Sequence, residues 1–189
     1  MRDAGEKMAD DIDLKRENAE LKARIAELEE LAERLERLAD CDTLTPLPNR
    51  RFFVRSIERA VAQLARHGTP AAVLFIDVDR LKAINDIHGH GAGDQALIHI
   101  AWILREKVRS SDLVARIGGD EFGVLLEYAD EEAAREKAAV LRDAIAARPL
   151  ERKIAISVSI GVTAIRSADT PEAALARADS GMYAVKRKP

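Results

Sequence analysis

Leucines recur at every seventh position near the start of the chain, at Leu14, Leu21, Leu28 and Leu35. With these leucines at heptad position d, position a is occupied by Asn18, Ile25, Ala32 and Ala39. A period of about 3.5 residues is typical of two helices packed along a seam, and one asparagine at an a position selects a parallel, in-register dimer. The pattern predicts a parallel coiled-coil dimerisation and signalling helix over 1–41. A solitary solvated helix, or an amphipathic helix packed in cis, would show the same leucine spacing.

The rest of the chain, 42–189, mixes helical and strand periodicity and is predicted to form one globular domain. Pro46 and Pro48 end the first helix. Helical spacing covers 50–67, 92–108, 130–148 and 171–187, and strand patterns cover 71–77, 113–117, 122–126 and 153–162. This order predicts an α+β fold with a mixed or antiparallel central sheet of about five strands flanked by helices.

Composition and charge exclude several classes of protein. Hydrophobic residues make up 47% of the 189 residues, which is enough to bury a core. The chain has 30 Lys and Arg against 33 Asp and Glu, so we expect no binding to a DNA or RNA duplex. The longest apolar run, Ala71 to Ile76, is too short to span a membrane. An acidic N-terminus without a signal peptide and a single cysteine, Cys41, favour a cytoplasmic protein.

Acidic residues follow a predicted buried strand and a predicted hairpin turn. Asp77 and Asp79 end the strand, and Asp120 and Glu121 follow two glycines. Two carboxylates about 4 Å apart repel by about 4 kcal/mol at an effective dielectric constant of about 20, so such a pair needs a cation or a raised pKa. Oxygen ligands favour Mg²⁺ or Mn²⁺. Acids at strand ends are more often solvated, so spacing alone leaves both interpretations open.

Three longer strings are more specific. They are DTLTPLPNR (42–50), FIDVDRLKAINDIHGHGAGD (75–94) and RIGGDEF (116–122). In order and spacing they resemble the GGDEF family of diguanylate cyclases, and SIGV (159–162) and ADSGMYAVK (178–186) resemble its C-terminal half. The resemblance covers 42–188. It implies a ferredoxin-like sheet, similar to nucleotidyl cyclases and polymerase palms, and identifies 42–189 as a GGDEF catalytic domain.

The resemblance implies a role for each matching residue. Asp77, the carbonyl of Val78 and Asp120 would hold Mg²⁺ or Mn²⁺, and the signature turn comprises Gly118, Gly119 and Phe122. Asp120, with Glu121 beside it, would help to deprotonate the attacking hydroxyl, unless the metal alone activates it. Guanine would be read by Asn85 and Asp94, and phosphates would be bound by Lys82, Lys186 and the amides of Arg80, Leu81 and Lys82. His90 would either contact substrate or pack.

The implied reaction joins two GTP into cyclic di-GMP and releases two pyrophosphates across a homodimer. Arg109 and Asp112 match an R-x-x-D site at which many family members bind the product as an inhibitor. The alternatives are a catalytically weak cyclic di-GMP receptor and a dimerising scaffold. Three departures from the family pattern are Pro46 in place of a usual glycine, Arg80 in place of a usual aromatic or apolar residue, and an end at Pro189 where a second phosphate-binding arginine is expected.

Overall fold

The computed structural model describes residues 16, 18, 20–31, 39–150 and 154–186, the last four by their backbone alone. Contacts within the chain divide it into two compact units, Met1–Ala39 and Asp40–Pro189. None of the helices in the described ranges is both long enough and apolar enough to cross a membrane.

In the first unit, residues 20–31 form a helix, α1. Leu21, Ile25 and Leu28 on this helix are 57%, 53% and 50% exposed, so their apolar surface has no partner within the described part of the unit. Three predicted heptad residues, Leu14, Ala32 and Leu35, lie outside the described residues. The coiled coil therefore stays a prediction.

The described part of the second unit contains five helices and four strands. The helices are α2 (Arg50–His67), α3 (Leu81–His88), α4 (His90–Lys107), α5 (Glu131–Ala146) and α6 (Pro171–Lys186). The strands are β1 (Ala71–Val78), β2 (Leu113–Arg116), β3 (Glu121–Glu127) and β4 (Val158–Ala164). The α+β class is confirmed, with four strands in the described sheet where about five were expected.

The strands form one antiparallel sheet in the order β2-β3-β1-β4. β1 is central and covered by helices on both faces, which explains why its sequence is continuously apolar rather than alternating. In the register, Asp77 of β1 lies opposite Glu121 of β3 on one side and Ser159 of β4 on the other. The last residues of β1 therefore lie between the signature turn and the start of β4.

Two hydrophobic cores lie on opposite faces of the sheet. One packs α4 and α5 against the sheet, and its largest fully buried side chains include Ile100, Leu104, Leu141, Phe122 and Leu74. The other packs α2 and α6 against the opposite face and includes Phe53, Ile57, Phe75, Leu175 and Ala178. The four helices thus fix the sheet from both sides, whereas the short helix α3 follows directly from the end of β1.

Local sequence signals set several helix boundaries. The Asn49 side chain caps α2 by accepting from the amide of Phe52 at 3.2 Å, and Gly68, with φ of 69°, ends the same helix. Asp130 caps α5 by accepting from the amide of Ala133 at 2.9 Å. These caps explain why the predicted bounds of α2 and α5 agree closely with the structure.

Candidate active site

Asp77 and Asp120 lie at the same corner of the central sheet. Asp77 is the penultimate residue of β1, and Asp120 directly precedes β3. The amide of Val78 donates to the carbonyl of Asp120 at 3.0 Å, which extends the pairing of the two strands by one more bond. The antiparallel register therefore brings together two carboxylates that are far apart in the sequence.

The pKa of Glu121 shows that negative charge is concentrated at this corner. Burial raises the pKa of its carboxyl group, and the negative charge of Asp120 raises that pKa further. The charges of Asp77 and Asp179 act in the same direction, whereas the Arg50 guanidinium lowers the pKa. Three carboxylates thus act on a fourth, and like charges in a partly buried site disfavour the ionised form. A divalent cation among them would relieve this repulsion.

The available oxygen donors fit a magnesium or manganese ion that also contacts phosphate. Within the described ranges, no group of three or more His, Cys, Asp or Glu side chains is arranged to hold a metal ion. The ligands implied by the resemblance to the GGDEF family are the carboxylates of Asp77 and Asp120 and the carbonyl of Val78. Such a set leaves positions for water and phosphate oxygens, which Mg²⁺ commonly retains in proteins.

Gly118 makes room for the Glu121 side chain. A Cβ atom added at Gly118 would overlap the Glu121 carboxylate, whereas one added at Gly119 would meet open space. Neither glycine has the positive φ that Gly-Gly hairpin turns commonly adopt. Phe122, the last residue of the signature turn, is fully buried in the core beneath α4 and α5. The turn is therefore anchored at one end by a buried aromatic ring, and a side chain at its first glycine would displace the Glu121 carboxylate.

The loop after β1 places the start of α3 next to this corner. Arg80 has φ of 56° and ψ of 27°, a left-handed conformation that is uncommon outside glycine. No side chain in the described part of the chain caps the N-terminus of α3, so its first amides lack the partners that a capping residue would supply. Leu81 is half-buried against the core, and Lys82 is exposed. Unsatisfied amides at a helix N-terminus favour anions such as phosphate.

Asn85 and Asp94 lie on the helices that meet at the α3–α4 corner. The Oδ1 atom of Asn85 is buried and has no hydrogen-bond partner among the described residues. The Asn85 amide packs directly against Gly93, where an added Cβ atom would overlap Oδ1. Asp94, the residue after Gly93, is exposed. His90, the first residue of α4, is also exposed. A buried, unsatisfied acceptor beside an exposed carboxylate is a suitable arrangement for donors on a ligand.

The structure places Lys186 at the last residue of α6, and its side chain lies outside the described residues. Two residues near the corner were not predicted as site residues. Asp179 of α6 acts on Glu121 through its charge, and the Arg50 side chain donates to the carbonyl of Ile117 at 3.4 Å. Both stand in strings that resemble the family, but only the tertiary packing reveals that they act on the carboxylate cluster.

Arg109 and Asp112 lie at the other end of the β2–β3 hairpin from the signature turn. Asp112 accepts from the amide of Arg109 at 3.0 Å through Oδ2 and from the amide of Glu127 at 3.3 Å through Oδ1. Arg109 is exposed and borders a groove of about 480 Å³ that Pro46 and Pro48 also line. A second groove, of about 450 Å³, lies between Asp112 and α2.

Residues 39–189 match the sequence profile of the family described as Diguanylate cyclase, GGDEF domain. The chain is 44% identical over 152 residues to the diguanylate cyclase TpbB of Pseudomonas aeruginosa strain UCBPP-PA14, covering 78% of this chain and 35% of TpbB. It is 39% identical over 151 residues to the diguanylate cyclase DosC of Escherichia coli strain K12, covering 78% of this chain and 33% of DosC. The chain thus spans about a third of the length of these curated relatives.

Solved structures agree with this assignment. The chain superposes on the coiled coil and GGDEF domain of DgcB from Caulobacter crescentus in complex with c-di-GMP, with a TM-score of 0.80 and 28% identity. That superposition covers 92% of this chain and 94% of the DgcB chain. The chain belongs to the GGDEF family of diguanylate cyclase domains, as its sequence strings predicted.

Proposed function

We propose that this chain is a diguanylate cyclase that joins two GTP molecules into cyclic di-GMP and releases two pyrophosphates. The observation that carries the proposal is the placement of Asp77 and Asp120 at one corner of the sheet, beside Glu121, whose pKa is raised by burial and by its acidic neighbours. Membership of the GGDEF family supports the same activity.

The carboxylate corner performs the transfer. A 3′-hydroxyl oxygen of one GTP attacks the α-phosphorus of the other, and the bond from that phosphorus to pyrophosphate breaks; a second such step closes the ring. Asp77, the carbonyl of Val78 and Asp120 would hold Mg²⁺ or Mn²⁺, which neutralises the triphosphate charge. Asp120 helps to take the hydroxyl proton. Burial is the main cause of the raised pKa of Glu121 and does not depend on the metal, so Glu121 is a stronger base than an ordinary carboxylate and can share that proton.

The two ends of α3 bind the two ends of the nucleotide. At its N-terminus the uncapped amides of Arg80 to Lys82 contact the terminal phosphates, with charge added by Lys82 and Lys186. At the α3–α4 corner Asp94 accepts from the N1–H and 2-amino group of guanine, and the unsatisfied Oδ1 of Asn85 is a further acceptor. Adenine lacks this pair of donors, so ATP would leave Asp94 unpaired. His90 is exposed at the first residue of α4, four residues before Asp94.

Two copies of the chain are needed, because one domain holds one GTP and the product requires two reciprocal attacks. We assign the pairing to a parallel coiled coil over 1–41, which raises the effective concentration of one domain for the other. The half-exposed Leu21, Ile25 and Leu28 on one helix support this assignment. The DgcB structure, which is similar along nearly its whole length, is described as a coiled coil and GGDEF domain.

Product inhibition at Arg109 and Asp112 is part of the proposal. The exposed Arg109 guanidinium can donate to a guanine edge and a phosphate, and Asp112 fixes the turn that presents it. Cyclic di-GMP inhibits at the concentration that halves turnover, and replacing Arg109 with alanine should raise this concentration about tenfold or more. An unchanged inhibition curve would place the inhibitory site elsewhere.

The experiment that tests the activity is incubation with GTP and Mg²⁺, followed by chromatography for cyclic di-GMP and a pyrophosphate assay. We expect two pyrophosphates per cyclic di-GMP, no cyclic product from ATP, and loss of about 100-fold or more in turnover for Asp120→Asn. Because GTP is the substrate, we place the reaction in the cytoplasm.

The same assay separates the rival functions. A receptor would bind cyclic di-GMP without forming it, and a scaffold would neither form nor bind it. If Asp120→Asn made product at the parent rate, the assignment of the carboxylate corner would be wrong.

A further inference from the structure

Asp79 ties the end of β1 to the segment that leads into β4. Its amide donates to the carbonyl of Ser157 at 3.0 Å. The Ser157 hydroxyl donates to Oδ2 of Asp79 at 2.8 Å, and the Ser159 hydroxyl donates to Oδ1 at 2.7 Å. Both carboxylate oxygens therefore accept a hydroxyl hydrogen, and the Asp79 side chain is directed towards β4. We call these three hydrogen bonds the Asp79 clamp.

The clamp distinguishes the two aspartates of the D-x-D sequence. In a continuous strand, residues two apart point to the same face, so Asp77 and Asp79 would be expected to act together on one ligand. β1 ends at Val78, however, and the alternation ends with it. Asp77 lies opposite Glu121 in the strand register, whereas Asp79 accepts from the two serines that flank the first residue of β4.

The clamp holds the residue that precedes a strained conformation. Arg80 is left-handed, with φ of 56°, and such a conformation in a non-glycine residue persists only where the surroundings enforce it. α3 begins immediately afterwards, and none of the described side chains caps it. The direction of the first amides of α3 is therefore set by the Arg80 dihedral angles, and the three clamp bonds fix the residue on which those angles depend.

We propose that Asp79 is a positioning residue. It fixes the loop between β1 and α3, and thereby the amides of Arg80, Leu81 and Lys82, while Asp77 carries the metal-binding role of the pair. The inference rests on the proposed function, because those amides are assigned to the GTP phosphates. It adds to that function a separate job for the second aspartate and for Ser157 and Ser159.

Three variants test the clamp in the full chain. In Asp79→Asn, Oδ1 still accepts from one serine and the new N–H donates to the other hydroxyl, so the clamp survives. Asp79→Ala and the double variant S157A/S159A remove the side-chain bonds. We expect kcat/KM for GTP to fall about 10- to 100-fold in the last two and by less than about threefold in Asp79→Asn. The Mg²⁺ concentration for half-maximal activity should change by less than about twofold in Asp79→Asn.

A rescue variant separates positioning from general loss of structure. Glycine adopts the left-handed conformation without strain, so Arg80→Gly makes the loop less dependent on the clamp. We therefore compare the effect of Arg80→Gly on kcat/KM in the parent and in S157A/S159A. The ratio of kcat/KM with glycine to kcat/KM with arginine should be about tenfold higher in S157A/S159A than in the parent. Thermal unfolding of each variant, followed by near-ultraviolet circular dichroism, shows that the domain is folded during the assay.

Two results would overturn the inference. One is a requirement for about tenfold more Mg²⁺ in Asp79→Asn, which would make Asp79 a metal ligand. The other is a parent-like kcat/KM in S157A/S159A. Hydrogen exchange gives an answer that does not depend on catalysis. At the Ile84 amide, which donates to the Arg80 carbonyl at 3.2 Å, and at the Asp79 amide, which donates to the Ser157 carbonyl at 3.0 Å, exchange without nucleotide should be faster in S157A/S159A than in the parent. A parent that makes no cyclic di-GMP would therefore refute the proposed function and leave the clamp open to this measurement.

Discussion

The carboxylate of Asp42 and the guanidinium of Arg116 form an ion pair, with 3.1 Å between Oδ1 and Nη1, and the two side chains are only 16% and 14% exposed. The other terminal nitrogen of Arg116 donates to the carbonyl of Gly119 at 2.7 Å. Asp42 also accepts from the hydroxyl of Thr45 at 2.7 Å. A chain of polar contacts therefore connects the start of the globular unit with the turn that carries Asp120.

Replacing Asp42 with asparagine should destabilise the protein and slow turnover. Burial opposes ionisation of Asp42, but hydrogen bonds from Thr45 and Arg116 outweigh it and lower the pKa of the carboxyl below 3.8. Loss of these charge-assisted bonds should cost about 1.5–3 kcal/mol of unfolding free energy, measured in urea. It should also lower kcat, because Arg116 then holds the Gly119 carbonyl less firmly.

The effect of Asp42→Asn should depend on pH. The pKa of Asp42 is lower in the folded protein than in the unfolded chain. Its contribution to the free energy of unfolding is therefore complete above about pH 3.8, and it is lost as the pH falls through the pKa of Asp42 in the folded protein. Asp143→Asn is the control, since Asp143 is 74% exposed and its side chain pairs, among the described residues, with the neighbouring Arg142 at 3.4 Å. Its cost should be below about 0.5 kcal/mol at every pH. Equal costs for the two variants would contradict a role for the Asp42 ion pair.

Replacing Glu121 with glutamine should raise thermal stability in the absence of metal while lowering activity. The pKa of Glu121 is raised in the folded protein, chiefly by burial and then by Asp120. The contribution of Glu121 to the free energy of unfolding is therefore largest below pH 4.5. It is lost as the pH rises through the higher pKa that Glu121 has in the folded protein. At pH 7 the glutamine variant should unfold about 1–3 °C higher than the parent in EDTA.

With Mg²⁺ bound, the parent should unfold at a higher temperature than Glu121→Gln if the carboxylates share an ion. In the parent, Mg²⁺ with GTP should raise the unfolding temperature more than it does in Glu121→Gln, because the bound cation relieves more repulsion in the parent. Glu127→Gln, at the opposite end of β3, is a matched control and should behave like the parent. A lower unfolding temperature for Glu121→Gln in EDTA would show that the Glu121 charge is not under repulsion.

Much of the fold could be predicted because local patterns and packing agree. The caps of α2, the continuous apolar run of β1 and the hairpin around Gly118 all have signals within a few residues. α3 was not predicted, since eight residues contain too few turns to show a clear period. β4 begins at Val158 and not at 153, although alternating apolar residues continue back to Ile154, because only the later residues pair with β1.

The site was predicted in part, and the remainder depends on distant contacts. From spacing alone, Asp77 and Asp120 were expected to meet only if their strands were neighbours, and the pairing of β1 with β3 brings them to one corner. Their metal-binding role was implied by the resemblance to the family. The charge that Asp179 adds to the corner depends on how α6 packs over β4, which no local spacing encodes. Similarly, Gly118 and Gly93 suggest flexible turns by their type, whereas in the structure the side chain of Glu121 or Asn85 occupies the space that a Cβ atom would take at these positions.

Replacing Gly93 with alanine should weaken GTP binding. The new Cβ atom would overlap Oδ1 of Asn85, so the amide would have to leave the position in which its unsatisfied oxygen lies. We expect KM for GTP to rise about tenfold with a smaller change in kcat, because the interaction lost is one of ground-state binding. Gly91→Ala is the control, since a Cβ atom there meets open space on the same helix. If both variants kept the parent KM, Asn85 would have no part in binding GTP.

Replacing Gly161 with alanine should destabilise the domain. A Cβ atom at Gly161 would overlap the Ala178 carbonyl of α6, so the helix would have to move away from β4. We expect a loss of about 1–3 kcal/mol or more in urea. Gly181→Ala is the control on α6 itself. Its Cβ atom would make an ordinary contact, 3.8 Å from the carbonyl of Val162 on β4, and alanine has a higher helix propensity than glycine. That variant should be neutral or more stable, and an equal loss in both would contradict close packing at Gly161.

Glutamates in place of Leu21 and Leu28 on α1 should leave the protein monomeric and make its turnover depend on protein concentration. Leu21 and Leu28 are each at least half exposed, and both occupy predicted d positions. In a coiled coil, the double variant L21E/L28E would place four like charges in one seam, whereas Glu27 and Glu30 lie at positions outside it. We expect sedimentation to show monomers for L21E/L28E and dimers for the control E27Q/E30Q.

The activity of the two variants completes this test. Specific activity of L21E/L28E should rise with protein concentration over the micromolar range, because the two domains must then meet by diffusion, while that of the control should stay constant. Covalent linkage of two L21E/L28E chains should restore most of the activity at low concentration, since it replaces the effective concentration that the seam supplied. A monomeric variant with concentration-independent, parent-like turnover would show that the coiled coil does not pair the catalytic domains.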